Sequence, residues 1–208
     1  MNFLIVEGAA KRYPYDDFDA FSDISFTAQK GETVSLIFGA QGGKTSFAKI
    51  LMGITQLSSG KIEMEGKSIN QISQRDRNIA YITLPLLYTK KTVEKNIAFG
   101  LICRNYDKNT VKNLTQKALT EYALINSAKL KVASLSTYQQ LCLAIARAFV
   151  RPVDVAIFDN IRGIDNQMDV IIDQRILQNQ QEGITTLLLC DKKEQALGKI
   201  YKFNKVDY

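Results

Sequence analysis

The 208-residue chain is 46% hydrophobic and 23% charged, with a net charge of +6, which suits one globular core and excludes a disordered chain. It has no histidine, so Ser–His and Cys–His dyads and histidine metal sites are excluded. The longest apolar runs, near Leu84–Tyr88 and Ile184–Cys190, fall well short of the about 20 residues of a membrane helix and are short enough to be buried strands.

Cys103, Cys142 and Cys190 lie far apart without metal-ligand spacing. With no secretion signal they read as reduced thiols of a cytoplasmic protein. The basic balance comes without an arginine-rich helix or interleaved basic and aromatic residues. It therefore reads as a solvated surface that meets phosphates or anionic lipid, and no nucleic-acid partner is expected.

Met1–Glu7 reads as a first strand, not a signal peptide. Thr33–Phe38 is a β-branched, apolar run between Gly31 and Gly39, the pattern of a buried strand. A glycine-rich turn leads into a helix over Lys44–Gly53. Ser59–Gly60 reads as a turn and Lys61–Gly66 as a short strand. Thr92–Arg104 and Thr110–Leu124 read as helices, the second with Val111, Leu114, Ala118 and Tyr122 on a core-packing face. Gln139–Val150 is a helix stopped by Pro152. Val153–Phe158 and Ile184–Leu189 are further buried strands, ending at Asp159 and at Cys190–Asp191. Strands alternating with helices predict an α/β fold with a parallel sheet, and the helical middle predicts an inserted subdomain.

The chemistry concentrates between the Thr33–Phe38 strand and the helix after it. Gly39, Ala40, Gln41, Gly42, Gly43, Lys44, Thr45 and Ser46 stand there. Glycines let backbone N–H groups converge on a phosphate, the helix start adds partial positive charge, Lys44 adds a full one, and the Thr45 hydroxyl reaches Mg²⁺. The loop is one residue shorter than G-x-x-x-x-G-K-[ST]: counted back from Lys44, the first glycine falls on Phe38. An ordinary glycine turn is the alternative. Asp159, leaving a buried strand, is placed to hold Mg²⁺ through water; the alternative is a turn or cap residue.

Several segments together resemble ATPase subunits of ABC transporters: Lys11-Arg12-Tyr13, Gly31-Glu32, the Gly39–Ser46 loop, Ser59-Gly60-Lys61-Ile62, Thr92–Gly100, and Leu135-Ser136 through Ala146-Arg147-Ala148. The Thr92–Gly100 wording is most similar to importers of sugars, polyamines, iron or oxyanions. The resemblance implies a P-loop NTPase core, residues 1–91 and 134–208, with a helical subdomain at about 92–133, in a single nucleotide-binding domain over 1–208 without a C-terminal regulatory domain. It implies ATP and Mg²⁺ as ligands, held by Tyr13 under the adenine (or Tyr13 is a strand-edge tyrosine without a ligand), the Gly39–Ser46 loop, and Thr45 and Asp159 at the metal. The short loop is expected to weaken this binding.

Departures from the family pattern fall on its catalytic groups. Asn160 stands at the position of the glutamate that orients the attacking water, and an amide cannot act as a base. Cys190 stands at the switch histidine. Thr83 or Leu84 stands at the coupling glutamine. The signature reads Leu135, Ser136, Thr137, Tyr138, Gln139, with two glycines replaced, and Cys142 occupies a usual arginine position. Removing one charge-stabilising group lowers rate by about 10² or more, so no catalytic residue set is intact. The resemblance therefore implies a degenerate ATP-binding subunit, hydrolysis-deficient, paired with a competent ABC ATPase subunit and transmembrane permease subunits on the inner face of the cell membrane. An active ABC ATPase with non-standard residues and a different small P-loop kinase or GTPase are the alternatives.

Overall fold

The computed structural model describes residues 2–15, 17–38, 42–85 and 90–203. In chain order its first elements are β1 (Asn2–Arg12), β2 (Asp19–Gln29), β3 (Thr33–Ile37), α1 (Lys44–Leu51), β4 (Ser59–Met64), β5 (Lys67–Ser68) and β6 (Ile79–Ile82). There follow α2 (Val93–Ile102), α3 (Lys108–Glu121), α4 (Thr137–Phe149), β7 (Val155–Asp159), α5 (Asn166–Gln181), β8 (Thr185–Cys190) and β9 (Lys199–Lys202), with one-turn 3₁₀ segments between some of them. Two compact units form, one from residues 1–81 and 154–208, the other from 82–153.

The first unit holds two sheets. A five-stranded sheet has the order β6-β7-β8-β3-β9, in which β7, β8, β3 and β9 pair in parallel. β3, β7 and β8 are buried along their whole length, which is why their sequences read as continuous apolar runs with no alternation. The second sheet is antiparallel, in the order β2-β1-β4-β5. Only the parallel sheet was expected. The antiparallel one adds strands whose alternation is interrupted by register shifts, as between Val6 and Ala9 of β1. Ser59 and Gly60 are not a turn; they open β4, where Gly60 keeps a positive φ. Shortly before the run at Leu84–Tyr88 lies β6, which was not expected. Leu84 lies in a bend beyond it, and Leu86, Leu87 and Tyr88 lie outside the described residues.

One core serves both sheets. Phe21 and Phe26 of β2, Phe38 after β3, and Leu4, Ile62, Ile157 and Leu189 belong to it. At its centre sits Phe47 of α1, fully buried. Its ring meets Phe21 and Phe26 edge-on at 5.8 and 6.0 Å, and Phe38 at 5.8 Å in a tilted arrangement, geometries that aromatic quadrupoles favour.

The 82–153 unit packs α2 against α3 and α4. Its helices begin on side-chain caps: Thr92 accepts from Lys95 N, Asp107 from Asn109 N and Thr110 N, and Ser136 from Gln139 N. α4 therefore starts two residues before the expected Gln139. The buried face of α3 is Thr115, Ala118 and Leu119, one step round from the expected Val111–Tyr122 stripe. A concavity of about 570 Å³ runs along α2 and α3, walled by Ala98, Ile102, Tyr106, Val111, Thr115 and Leu119, with lysines among its other lining residues.

Because Phe47 joins α1 to both sheets, Phe47→Ala is expected to lower unfolding free energy by about 3–5 kcal/mol, measured by urea denaturation.

Candidate functional site

The site is built around the start of α1. Gly39, Ala40 and Gln41 lie outside the described residues. Gly42 and Gly43 are described, and both must be glycine. A Cβ on Gly42 would come within 2.1 Å of Phe38 O. On Gly43, whose φ is +82°, it would come within 2.3 Å of Ala20 O. Gly43 is the N-cap of α1 and offers no side chain, whereas α2, α3, α4 and α5 are capped by Thr92, Asp107, Ser136 and Asp165. Among the described residues the N-terminal dipole of α1 thus has no capping side chain, the arrangement that suits an anion. The other end is tied down: the buried Arg77 guanidinium donates to Ile50 O and Leu51 O at 2.8 and 2.9 Å and to Ile72 O at 3.1 Å, which complements the C-terminal dipole.

Lys44, Thr45 and Ser46 project from this helix start. Lys44 Nζ forms an ion pair with Asp191 Oδ1, just past the end of β8. Thr45 Oγ1 donates to Asp159 Oδ2 at 3.5 Å, and Tyr81 of β6 donates its hydroxyl to the same oxygen at 2.5 Å. Asp159 is 7% exposed. A hydroxyl and a carboxylate oxygen this close form the hard donor pair that Mg²⁺ takes, so these residues fit that ion. Tyr13, just beyond β1, donates its hydroxyl to Ser46 Oγ at 3.1 Å, while Lys11 Nζ stands 4.8 Å from its ring centroid. One face of the Tyr13 ring therefore carries a cation.

Asn160 follows Asp159 directly, exposed, in the left-handed region at φ +52°, a conformation asparagine tolerates better than most residues. Its N–H donates to Leu189 O at 2.9 Å. Cys190, the last residue of β8, is 3% exposed. Burial pushes its thiol up to about 11; the nearby Arg162 charge works against the rise and Asp191 adds to it. Cys190 is therefore a neutral thiol at neutral pH. Gln195 braces this segment. Its Oε1 accepts from Asp191 N and Lys192 N at 3.0 and 3.1 Å, and its Nε2 donates to Arg162 O at 2.8 Å and Asn160 Oδ1 at 3.4 Å.

The segment Leu135–Gln139 belongs to the other unit. Leu135 is buried and Tyr138 is 42% exposed. The Ser136 hydroxyl accepts from Gln139 N at 3.2 Å, and Gln139 Oε1 accepts from Ser136 N at 3.1 Å. Both side chains are engaged in a capping box at the start of α4. Thr137 is exposed in its first turn, and Cys142 is buried within the helix, where an arginine would need a partner for its charge. Thr83 and Leu84 follow β6 and are half-buried.

Tyr81, Arg162 and Gln195 were not anticipated, nor was the pairing of Asp191 with Lys44. Tyr81 carried no signal because β6 is four residues long. Gln195 reads as an ordinary polar residue until its partners are folded around it.

The ABC transporter family matches residues 21–162. The spermidine/putrescine import ATP-binding protein of Haemophilus influenzae is 28% identical over 196 residues, which is 93% of this chain and 53% of that protein. The chain thus spans about half the length of this curated relative. A nucleotide-free ATP-binding cassette of an ABC transporter superposes with a TM-score of 0.81 at 20% identity, covering 99% of this chain and 88% of the other. A dimeric ATP-binding cassette in a post-hydrolysis state with ADP and phosphate gives 0.82 at 19%, covering 97% and 94%. These structures establish the fold: an α/β P-loop NTPase core with a parallel sheet.

Cys103 is exposed, while Cys142 and Cys190 are buried. At pH 7.5 iodoacetamide should label Cys103 in the folded protein and the other two only after unfolding, as read by peptide mass spectrometry. Because the folded Cys190 value lies above its ordinary 9.0, the stability tied to its neutral thiol is fully present below pH 9 and is lost as pH rises toward about 11.

Proposed function

The chain belongs to the ABC transporter family, and from that membership we propose that it is a degenerate nucleotide-binding subunit, one that binds Mg²⁺-ATP and hydrolyses it at or near background. Family membership removes the small kinase or GTPase reading. The observation that carries the proposal is an asymmetry within one site. Lys44, Thr45 and Asp159 stand around the uncapped start of α1, a lysine, a hydroxyl and a carboxylate for phosphate and metal. Next to them, the positions of base and switch hold an exposed amide, Asn160, and a buried neutral thiol, Cys190.

An amide cannot take a proton from water at neutral pH. A neutral thiol cannot offset charge developing on a transferring phosphoryl group. Bound Mg²⁺ would neutralise phosphate charge between Thr45 and Asp159; this chain's own residues orient the ligand without activating a nucleophile. Tyr13 is the residue for the adenine, with its hydroxyl held by Ser46 and Lys11 against its ring. Two copies of such a site would drive nothing, so the reading includes pairing with a competent ABC ATPase subunit. Ser136–Gln139 supplies the helix end that faces that partner's nucleotide, with Thr137 and Tyr138 crowding the approach.

The reading also includes permease subunits and a place on the inner face of the cell membrane. Among the described residues no helix is long and apolar enough to cross a membrane. The concavity along α2 and α3 supports a permease contact: Ile102 is 57% exposed on its wall, and the buried Thr115 hydroxyl has no hydrogen-bond partner among the described residues.

The purified chain is expected to release phosphate from ATP no faster than a Lys44→Ala control, and Asn160→Glu alone should not restore turnover. Robust turnover by the wild type would refute hydrolysis deficiency. Calorimetric titration should show Mg²⁺-ATP binding to the wild type and its loss in Lys44→Ala; equal responses would remove the site assignment.

Expressed with its permease and a competent ATPase subunit, the chain should co-purify from membranes as a heterodimer. Ile102→Glu should reduce permease capture severalfold while leaving nucleotide binding intact. A transport-competent homodimer of this chain would refute the pairing.

A further inference from the structure

The ion pair between Lys44 and Asp191 occupies the charge that a bound phosphate needs. The lysine side chain is 12% exposed and the aspartate 28%, so water screens the pair less than it would a surface pair. A carboxylate and a phosphate cannot both lie against one ammonium without repelling each other.

Asp191 is also held in place, which a casual surface contact would not require. It follows Cys190, whose strand position is registered against Ile37 of β3. Its backbone N–H donates to Gln195 Oε1 at 3.0 Å. Gln195 is in turn clasped to the segment after Asp159: its Nε2 donates to Arg162 O at 2.8 Å, and Arg162 Nη1 donates to Gln195 O at 2.9 Å. Arg162 is anchored by Asp173 of α5 at 2.8 Å. Two segments distant in sequence thus present one carboxylate to the phosphate-binding lysine.

We propose that Asp191 is a selectivity residue of the nucleotide site, an internal anion that competes for Lys44 and that only a ligand making several contacts at once displaces. The proposal rests on the nucleotide reading above. Exchanging one anion for another on Lys44 gains little, so free phosphate and pyrophosphate are held off. A whole magnesium nucleotide adds contacts at Tyr13, Thr45 and Asp159 that offset breaking the pair. Gln195 is a positioning residue: it acts by fixing the backbone that carries Asp191.

The test titrates Mg²⁺-ATP, Mg²⁺-ADP, pyrophosphate and adenosine into the wild type, Asp191→Asn, Gln195→Ala and the double variant Lys44→Ala/Asp191→Asn, with folding checked by circular dichroism. Asp191→Asn should bind ATP and ADP about tenfold more tightly and gain measurable pyrophosphate binding, while adenosine affinity stays unchanged. Gln195→Ala should shift the same ligands in the same direction by less. The double variant should lose the gain. Unchanged or weaker ATP binding by folded Asp191→Asn, or an equal gain for adenosine, overturns the proposal while leaving the nucleotide reading standing. Absence of any nucleotide binding to the wild type and to both single variants overturns the nucleotide reading and this inference with it.

Discussion

The structure depends on the way Phe47 seats α1 between two sheets of opposite kind. A short helix has little stability of its own, because its nucleation cost is spread over few hydrogen bonds. α1 persists because Phe47, Ala48, Ile50 and Leu51 are buried and because Arg77 gathers its last carbonyls. With the apolar face and the C-terminal end tied, the first turn is free to go without a cap. The chemistry is placed there, so the burial of one aromatic ring and the presentation of Lys44 and Thr45 are consequences of the same packing.

Electrostatics at that first turn follow from what surrounds it. Asp159, nearly buried, has its carboxylate oxygen held by the Tyr81 phenol and approached by the Thr45 hydroxyl. Lys44 finds Asp191. At the ends of β7 and β8 stand Asn160 and Cys190, neither of which adds charge at neutral pH. The start of α1 thus brings Lys44 against Asp191 and Thr45 against Asp159, with the Arg162 guanidinium close to Cys190.

The second unit spends its polar residues differently. Ser136 and Gln139 satisfy the backbone donors at the start of α4 by bonding to each other's main chain. Cys142 is buried one turn into the helix, while Tyr138 is exposed. A capping box is a local solution to orphaned N–H groups, and it leaves fewer donors for a ligand. The same residues that resemble a signature segment thus serve as the caps of α4.

Much of this was legible in sequence where the signal is local. The runs Thr33–Ile37, Val155–Asp159 and Thr185–Cys190 are buried along their length, so each reads as apolar without knowledge of its neighbours. Gly42, Gly43 and Lys44 mark a strand-to-helix turn by composition alone. Other features were illegible because they are long-range. β2 and β6 alternate weakly or run too briefly to stand out, and the antiparallel sheet exists only through pairings such as Leu4 with Met64. Lys44 meets Asp191 across 147 residues, and Tyr81 meets Asp159 across 78. Nothing in the local pattern of an aspartate or a tyrosine specifies a partner that far along the chain. The sequence alone determined which residues stand at the ends of the buried strands and at the start of α1. Only the tertiary structure decided which charge answers which, because that depends on strand order and burial, properties of the folded chain that no single segment contains.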